Sequence, residues 1–462
     1  MTASTVPATS RSGRSSAVVI GASIGGLCAA RVLADHFQHV LVVDRDDLPD
    51  GPEPRGQVPQ GRQPHLLLVA GARLLEEWFP GIVQELLDGG AVDLDLSADM
   101  WWHQAGGVAR RPTSDLRCPA MSRPFLEWTV RQRVAALPNV RIRSGAGADG
   151  LEFTNDGARV SGVALDDGTS YPCDLVVDAT GRQARTLPLV EAAGYEPPKQ
   201  SIVEVDTRYV SRTYRRVPSP ERDWKAAAII DDTDRKRLVM VLPMEGDRWI
   251  TLFGGLHGES APFDEAERIA YLRTFPSPTI ADILETAEPL SEPVTHRFPS
   301  SQRRHVEKLR RFPLGWVLLG DAVSSFNPIY GQGMTSAAQQ AQALGECLRQ
   351  GRPIDRRFAR RYFKAASKVV AVPWSIATGG DFAYPETKGK KPPGTDLINR
   401  YMDRVAIAAQ HDDEVSLRFN QVVALVRRPE SLMTPRFMLR ALRAARRGAT
   451  SIDETQRSII VT

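Results

Sequence analysis

The chain reads Ala17-Val-Val-Ile20-Gly21-Ala-Ser23-Ile-Gly25-Gly26-Leu27 near its start and, after a helical stretch, His39-Val-Leu-Val-Val-Asp44-Arg45. This order predicts a buried strand, a tight glycine turn, a helix and a second strand that ends in an acid. Gly21 permits the turn, and Gly25 lets the backbone approach a pyrophosphate at the positive end of the helix. The stretch therefore predicts a dinucleotide site, with these candidate residues: Gly21, Ser23, Gly25, Gly26, Asp44 and Arg45.

A second glycine motif lies far along the chain, in Trp316-Val-Leu-Leu-Gly320-Asp321 and Asn327-Pro328-Ile-Tyr-Gly331-Gln332-Gly333-Met334. It predicts a buried strand, an acid at the end of that strand, a loop, and a glycine-rich start to a helix over Thr335 to about Leu348. Between the two motifs stands a third, Asp174-Leu-Val-Val-Asp178-Ala-Thr-Gly181-Arg182.

In this order the three motifs resemble the single-component flavoprotein monooxygenases of the aromatic-hydroxylase type, which carry FAD on a Rossmann-like domain. The resemblance implies that Asp321 accepts hydrogen bonds from ribityl hydroxyls and that N–H groups from Gly331 to Met334 face the flavin pyrimidine edge. The further cofactor candidates that it implies are Asp178, Gly181, Pro328, Gly331, Gln332, Gly333 and Met334.

Two other segments of the chain also resemble this family. The stretch Val58-Pro-Gln60-Gly61-Arg62-Gln-Pro-His65-Leu66 matches a loop that runs beside the ribityl chain, which implies contacts from Gln60, Arg62 and His65. A helix predicted from Arg123 to about Leu137 matches one that carries an arginine toward the flavin. Arg123 is the first candidate for that arginine and Arg131 the second.

The resemblance also implies an electron donor, NADPH or NADH, acting directly or through a separate flavin reductase. Many members of the family have Asp-Gly followed by Ser and Arg at the position where this chain has Asp178-Ala-Thr-Gly181-Arg182. Direct use of NADPH is therefore less firmly implied than the use of FAD.

Composition agrees with a globular enzyme and excludes several other classes. Of the 462 residues, 42% are hydrophobic and 25% charged, and the net charge of +4 is too small to indicate nucleic-acid binding. The four cysteines are widely separated, so the pattern predicts neither a zinc site nor a disulfide framework, and no other metal set is evident. Residues 1–16 lack an apolar stretch and no run of 18 apolar residues occurs, which predicts a disordered leader, no membrane span and a cytoplasmic location.

The predicted fold is α/β, with a Rossmann-like FAD-binding domain, an inserted, mostly antiparallel sheet, and a helical C-terminal region. The predicted divisions are 1–16 (leader), 17–200 and 301–350 (FAD-binding domain), 201–300 (substrate sheet) and 351–462 (helices). The inserted sheet is read from alternating residues over 201–256, as four or so strands with one face over the flavin. Its predicted substrate-lining residues are Met240, Leu242, Met244, Ile250 and Leu252.

Helices are predicted near Asp355–Thr378, Thr395–Val426 and Pro435–Arg447. The last one has Arg436, Arg440, Arg443 and Arg447 on one face and apolar residues on the other. Packing on the core is the favoured interpretation, and a membrane-surface helix or a docking face for an acyl carrier protein is the alternative.

The predicted activity is that of an FAD-dependent monooxygenase, in which reduced flavin reacts with O₂ at C4a and one oxygen atom passes to an apolar substrate. Three segments, Phe326–Met334, the loop around His65 and Ala377–Pro385, resemble those of bacterial epoxidases that act on polyketide and terpenoid alkenes in secondary metabolism. Epoxidation needs no base to ionise the substrate, and no catalytic base is evident in the sequence, so epoxidation is favoured over aromatic hydroxylation.

Three alternatives stay open. A flavin-dependent halogenase is expected to carry Trp-x-Trp-x-Ile-Pro, which Met100-Trp101-Trp102-His103 does not match. A prenyl-chain reductase would share the fold and work without oxygen. A non-catalytic flavin-binding scaffold would keep the Gly21–Asp44 unit and would need no apolar sheet above the flavin.

Overall fold

A computed structural model describes residues 14–56, 59–351 and 353–460, with the side chains of residues 59–60 and 448–460 left undescribed. The predicted leader lies outside these residues up to position 13, and Ser16 already belongs to the first strand. The described helices are α1 Ile24–Ala34, α2 Val69–Trp78, α3 Ile82–Asp88, α4 Arg123–Ala135, α5 Leu187–Ala192, α6 Glu265–Leu272, α7 Thr279–Thr286, α8 Gly333–Arg349, α9 Arg356–Asp381, α10 Thr395–Ala409, α11 Asp413–Val423 and α12 Pro435–Ile460.

The described strands are β1 Ser16–Ile20, β2 His39–Val43, β3 Val92–Asp95, β4 Met100–Gln104, β5 Gly107–Val108, β6 Arg117–Ala120, β7 Val140–Arg143, β8 Ala148–Phe153, β9 Val160–Leu165, β10 Ser170–Pro172, β11 Leu175–Asp178, β12 Gln200–Arg215, β13 Ala226–Ile230, β14 Arg237–Met244, β15 Arg248–Gly255, β16 Val294–Arg304, β17 Trp316–Leu318, β18 Ser324–Ser325 and β19 Lys388–Gly389.

A parallel sheet with the strand order β17-β11-β1-β2-β7 forms the centre of the cofactor-binding part. β1, β2, β11 and β17 are apolar along nearly their whole length because neighbouring elements cover the sheet, whereas the edge strand β7 alternates valine or isoleucine with arginine. Helices α1 and α9 contact this sheet, and so does β9 of a three-stranded antiparallel sheet with the order β10-β9-β8. β1 and β11 are buried almost throughout, and α1 and α8 pack together beside them in the largest apolar core. The α/β class predicted from the sequence is thus the observed one.

The second sheet is larger than the four or so strands that the sequence predicts. Its strand order is β18-β16-β12-β15-β14-β13-β4-β5, with β19 paired to β12. β4 runs parallel to β13 and comes from the segment between α3 and α4, far from residues 201–300 in sequence. One face of this sheet packs on α6 and α7, and the other face lies toward the parallel sheet.

The C-terminal part is helical, as predicted, with one difference. The stretch Thr395–Val426 forms two helices, α10 and α11, because Asp412 caps the start of α11 with its carboxylate on the Val415 N–H. α12 buries Phe437, Ala441 and Ala445 against α10 and α11, while Leu442 on the same helix stays 39% exposed. No helix in the described part of the chain has the length and apolarity needed to cross a membrane.

Candidate functional site

A cavity of about 1580 Å³ lies where the parallel sheet meets the second sheet. Residues directly after β1, β2, β11 and β17 line it, so it opens at the carboxyl ends of the parallel strands, the usual ligand position in such sheets. Its volume exceeds the roughly 300–1,000 Å³ of an ordinary small-molecule pocket. The cavity therefore has room for two ligands in contact.

The glycine turn after β1 brings backbone to the cavity wall. Gly21 has φ +106°, and a Cβ at this position would lie 2.6 Å from the Ala179 carbonyl oxygen. A Cβ on Gly26 would lie 1.8 Å from the Gly21 oxygen, so this glycine permits the close approach of α1 to the turn. Gly21, Ser23 and Gly25 line the cavity, whereas Gly26 packs behind them.

The acid at the end of β2 is part of a buried ionic network. Asp44 accepts hydrogen bonds from the Ala22 N–H (2.7 Å) and from Arg55 (3.1 Å). Arg55 also pairs with Glu127 of α4 (2.8 Å), and Glu127 accepts a hydrogen bond from Ser23 (2.6 Å). Burial acts to lower the pKa of Arg55, but the carboxylates of Glu127 and Asp44 outweigh it, so that the pKa is raised. Arg45 lines the cavity beside this network.

Sequence reasoning missed Arg55 and Glu127. Neither belongs to a motif, and they meet only because α4 packs against α1 beside the turn. The signal available in the sequence is the i, i+4 spacing of Glu127 from Arg123 on the predicted helix.

His65 and Arg123 are brought together at the cavity wall. The His65 Nδ1–H donates to the Gln63 carbonyl (2.8 Å), so Nε2 is the acceptor for Arg123 (3.2 Å), which also donates to Ser23 (2.9 Å). Burial, assisted by the nearby Arg123 cation, lowers the pKa of His65 to about 3, so the imidazole is neutral. Burial also lowers the pKa of Arg123, which Glu127 and Asp321 oppose.

The other candidates of these two segments lie elsewhere. The turn Pro59–Arg62 leaves Arg62 exposed and off the cavity wall, and the side chain of Gln60 lies outside the described residues. Arg131, the second candidate on the helix, donates to the Pro49 carbonyl and does not reach the cavity.

Asp178 is placed differently from its predicted role. Its carboxylate is fully buried and accepts four hydrogen bonds, from the N–H and hydroxyl of Thr180 and of Thr186, at 2.6–2.9 Å. The acid therefore fixes the loop after β11, while Gly181 of that loop lines the cavity. Arg182, which the sequence analysis left without a role, also lines it and is held by Ser300 (2.5 and 2.8 Å).

The second glycine motif forms the opposite wall, made of Asp321, Pro328 and Gly331 to Met334. The positive charges of Arg123 and Arg182 both act on the Asp321 carboxyl group. Burial raises the pKa of its carboxyl group, and these two cations oppose the rise. α8 begins at Gly333, so its first N–H groups, which have no partner within the helix, are directed at the cavity.

Two observations show that this wall is shaped for a ligand. The buried Gln332 Oε1 has no hydrogen-bond partner among the described residues, which is costly unless a bound group supplies a donor. A Cβ on Gly333 would meet nothing within 4 Å, so the backbone here borders open space that a side chain would fill.

The second sheet contributes the apolar side of the cavity. Met240, Leu242 and Leu252 line it. Met244 and Ile250, also predicted to line it, are buried in the core at the far end of the β14–β15 hairpin, where Met244 is opposite Arg248 and Ile250 opposite Leu242. His296 of β16 also lines the cavity with its ring 5.2 Å from that of Tyr209, and burial lowers its pKa.

The C-terminal helices close the apolar side, which the sequence did not predict. The lining residues of α9, α10 and α11 are Trp374, Ile376, Ile398, Met402, Phe419 and Val423, and the turn Pro429–Met433 after α11 adds Leu432 and Met433. In sequence these residues read as ordinary faces of amphipathic helices, and only the packing of α9, α10 and α11 places them on the cavity.

Comparison with known proteins agrees with this architecture. The family described as "FAD binding domain" matches residues 14–350. Protein Rv3254 of Mycobacterium tuberculosis is 35% identical over 384 residues, which is 80% of each chain.

Two solved structures show the same fold at low identity. p-Nitrophenol 4-monooxygenase PnpA of Pseudomonas putida DLL-E4 is 16% identical, with a TM-score of 0.61 over 89% of this chain and 99% of its own. The flavin-dependent brominase Bmp2 is 14% identical, with a TM-score of 0.62 over 96% and 99%.

Proposed function

Because the chain belongs to the FAD-dependent monooxygenase family and has FAD as its cofactor, we propose that it inserts one oxygen atom from O₂ into an alkene of a large apolar polyketide or terpenoid. The supporting observation is the cavity, whose polar part meets an apolar part within one volume of about 1580 Å³. Reduced FAD supplies the chemistry, which is activation of O₂ and delivery of one oxygen atom.

The polar part fits FAD in this proposal. Asp44 would accept hydrogen bonds from the adenosine ribose, and Gly21 and Gly25 would let backbone approach the pyrophosphate at the start of α1. Asp321, between Arg123 and Arg182, would accept from ribityl hydroxyls. The first N–H groups of α8 and the unpartnered Gln332 Oε1 would serve the flavin ring.

The remaining protein groups around this site have positioning tasks. Arg55 holds Asp44 and Glu127 in place, and the neutral His65 holds Arg123. Asp178 is assigned to the loop that presents Gly181, not to the cofactor itself.

The apolar part would hold the substrate and exclude water. Met240 and Leu252 of the sheet line the same cavity as Trp374, Met402 and Phe419 of the helices. An apolar enclosure of this extent favours a large substrate with few polar groups, and it keeps reactive oxygen away from bulk water. These features favour a terpenoid or polyketide alkene.

Aromatic hydroxylation is the second candidate, and His296 favours it. Burial keeps this cavity-lining imidazole in the neutral form that can accept a phenolic proton. A phenol bound beside His296 would be ionised there before oxygen transfer.

The electron donor and its partner are also proposed. We expect NADPH or NADH to reduce the flavin, directly or through a separate reductase, and we keep an acyl carrier protein as a candidate carrier of the substrate. The location in the cytoplasm remains a prediction.

The experiment uses purified holoenzyme whose flavin is first measured by its visible spectrum. The flavin is reduced anaerobically with NADPH, or with dithionite if NADPH fails, and is then mixed with isotopically labelled O₂ and a panel of triterpene and polyketide alkenes and polycyclic phenols. Labelled epoxide is the expected product. Labelled phenolic product would favour hydroxylation, and labelled oxygen recovered only in hydrogen peroxide across the panel would contradict both. Asp321→Ala enzyme, which we expect to lack FAD, is the matched control.

A further inference from the structure

A buried acid lies behind the cavity wall at the end of α9. Asp381 is 0% exposed, and its Oδ1 accepts hydrogen bonds from Asn327 Nδ2 (3.0 Å) and from the Tyr330 hydroxyl (3.2 Å). Its Oδ2 has no hydrogen-bond partner among the described residues. The mechanism proposed so far does not use this carboxyl group.

Asp381 differs from an acid that has a purely structural task. Asp178 is as deeply buried, but both of its oxygens receive donors, four in all. A buried carboxylate with one bare oxygen is costly, and a proton relieves that cost. Accordingly, burial raises the pKa of Asp381 to about 7, against the smaller opposing effects of Asn327 and Tyr330.

Tyr330 connects this acid to the cavity. It lies on the cavity wall in the turn Pro328–Tyr330, directly before Gly331 of the flavin motif. Its hydroxyl is pressed against Gly380, where a Cβ would lie only 2.3 Å from the oxygen. The absence of a side chain at Gly380 therefore lets the hydroxyl reach Asp381.

The ionisable groups packed around the pair are Tyr384 and His257, whose ring lies 5.8 Å from that of Tyr384 and whose Nε2 hydrogen-bonds the Thr387 hydroxyl (3.0 Å). Tyr384 lies on the cavity wall beside Tyr330, and its pKa is raised by burial and by the acids Asp381, Asp232 and Asp231.

We propose that Tyr330 donates a proton to the reacting oxygen in the cavity and that Asp381 positions its hydroxyl and replaces the proton. This inference rests on the proposed monooxygenase function. That reaction consumes one proton, since reduced FAD anion, O₂, substrate and H⁺ give oxidised FAD, oxygenated substrate and water. The step starts from Asp381 protonated at Oδ1, in which the acid O–H donates to the Tyr330 oxygen and the Tyr330 hydrogen turns from Asp381 to the cavity. As the Tyr330 O–H bond breaks toward the oxygen that leaves as water, the Asp381 Oδ1 proton moves to the Tyr330 oxygen, so no tyrosinate is formed.

Asp381 is then a carboxylate held by Asn327 and Tyr330, and it regains its proton through Tyr330 when water enters the cavity after product release. The same route would serve reoxidation without substrate, in which reduced FAD anion, O₂ and H⁺ give FAD and hydrogen peroxide. The proposal can therefore be tested before the substrate is known.

The first test is infrared titration of the holoenzyme, which reports on the pair whether or not oxygen transfer occurs. We expect a protonated-carboxyl C=O band at about pH 6 that fades by about pH 8. The band should be absent in Asp381→Asn and shifted in Tyr330→Phe. Tyr195→Phe, which removes a hydroxyl bonded to the Gly157 carbonyl, should leave it unchanged. The absence of a titrating band in the wild type, or a band that Tyr330→Phe does not shift, would overturn the pairing.

The second test is the rate at which air reoxidises pre-reduced holoenzyme at different pH values. The wild-type rate should fall about tenfold from about pH 6 to about pH 8 as Asp381 loses its proton. Asp381→Asn and Tyr330→Phe should be slow and independent of pH over that range, and Tyr195→Phe should behave as the wild type. Wild-type pH profiles in both variants would overturn the proton-donor role. Failure of the proposed function would show separately, as normal infrared and reoxidation results with no oxygenated product.

Discussion

Asp178 and Asp321 both stand at or just after the end of a strand of the parallel sheet, yet their surroundings give them different tasks. Both Asp178 oxygens accept hydrogen bonds, from Thr180 and Thr186. Asp321 lines the cavity and is influenced by the charges of two arginines. The sequence shows an acid in a motif at both positions. It does not show which neighbours satisfy that acid, and for this reason Asp178 was predicted as a cofactor ligand.

Asp321→Ala should lose FAD and keep its fold. A hydrogen bond to a charged group contributes about 1.5–3 kcal/mol, so FAD affinity should fall by about 10–100-fold. The thermal midpoint of the apoprotein should barely change, because Asp321 is half-buried. Isothermal titration of apoprotein with FAD and a thermal scan measure the two quantities. The control is Asp178→Ala, which should lose stability first, and an Asp321→Ala protein that purifies with full FAD would remove Asp321 from the site.

The pH dependence of stability should reveal Asp381. Its pKa of about 7 in the folded protein lies above the unfolded value of about 3.9, so between these values the folded state holds a proton that the unfolded state has released. Stability from this group is therefore fully present below about pH 4 and is lost as pH rises toward 7. Chemical unfolding at several pH values should show the wild type losing stability relative to Asp381→Asn across this window. A constant difference between the two proteins would refute the raised pKa.

At the scale of elements, the sequence predicts individual strands and helices from local patterns, but it does not predict which distant elements pack together. β1, the glycine turn and α1 are adjacent in sequence, and each follows from its own residues. The wall formed by α9, α10 and α11 depends on where amphipathic helices pack, which their periodicity does not reveal. β4 joins the second sheet from far away for the same reason, and Arg55 and Glu127 meet only through the packing of α4.

Substitution of Gly333 at the N-terminus of α8 is the most direct test of the proposed flavin site. In Gly333→Val the new side chain would occupy the open space at the helix N-terminus, so FAD binding should be lost while α8 still forms. Gly333→Ala should give a smaller loss. Gly56→Val is the matched control, because it also meets no atom within 4 Å and lies on the exposed surface. Flavin absorbance per protein and circular dichroism measure the outcome, and normal flavin content in Gly333→Val would place the ring elsewhere.

At the scale of the whole molecule, the cavity is lined by three parts of the protein: the parallel sheet, the second sheet and the C-terminal helices. A ligand bound in the cavity should therefore stabilise all three parts together. At an FAD concentration of 100 times its dissociation constant, the folded state gains about 2.7 kcal/mol.

Adding FAD to the apoprotein should therefore raise the thermal midpoint, with an increase that grows with the logarithm of FAD concentration. Differential scanning calorimetry at a series of FAD concentrations measures this. Riboflavin, which lacks the adenosine half that Asp44 would bind, is the control and should raise the midpoint less. Equal effects of the two flavins would indicate that the Gly21–Asp44 unit does not hold the nucleotide.

The cavity wall is built from segments that lie far apart in the sequence. Gly21 lines it on one side, whereas Gln332 donates to the carbonyl of Val423 (3.5 Å) and the Ala70 N–H to that of Ala424 (3.4 Å). At about 5–20 residues per second, roughly 20–80 seconds of synthesis separate Gly21 from Ala424. During that time the nascent chain has the glycine turn after β1 but not the far side of the cavity, so the closed cavity forms late in translation.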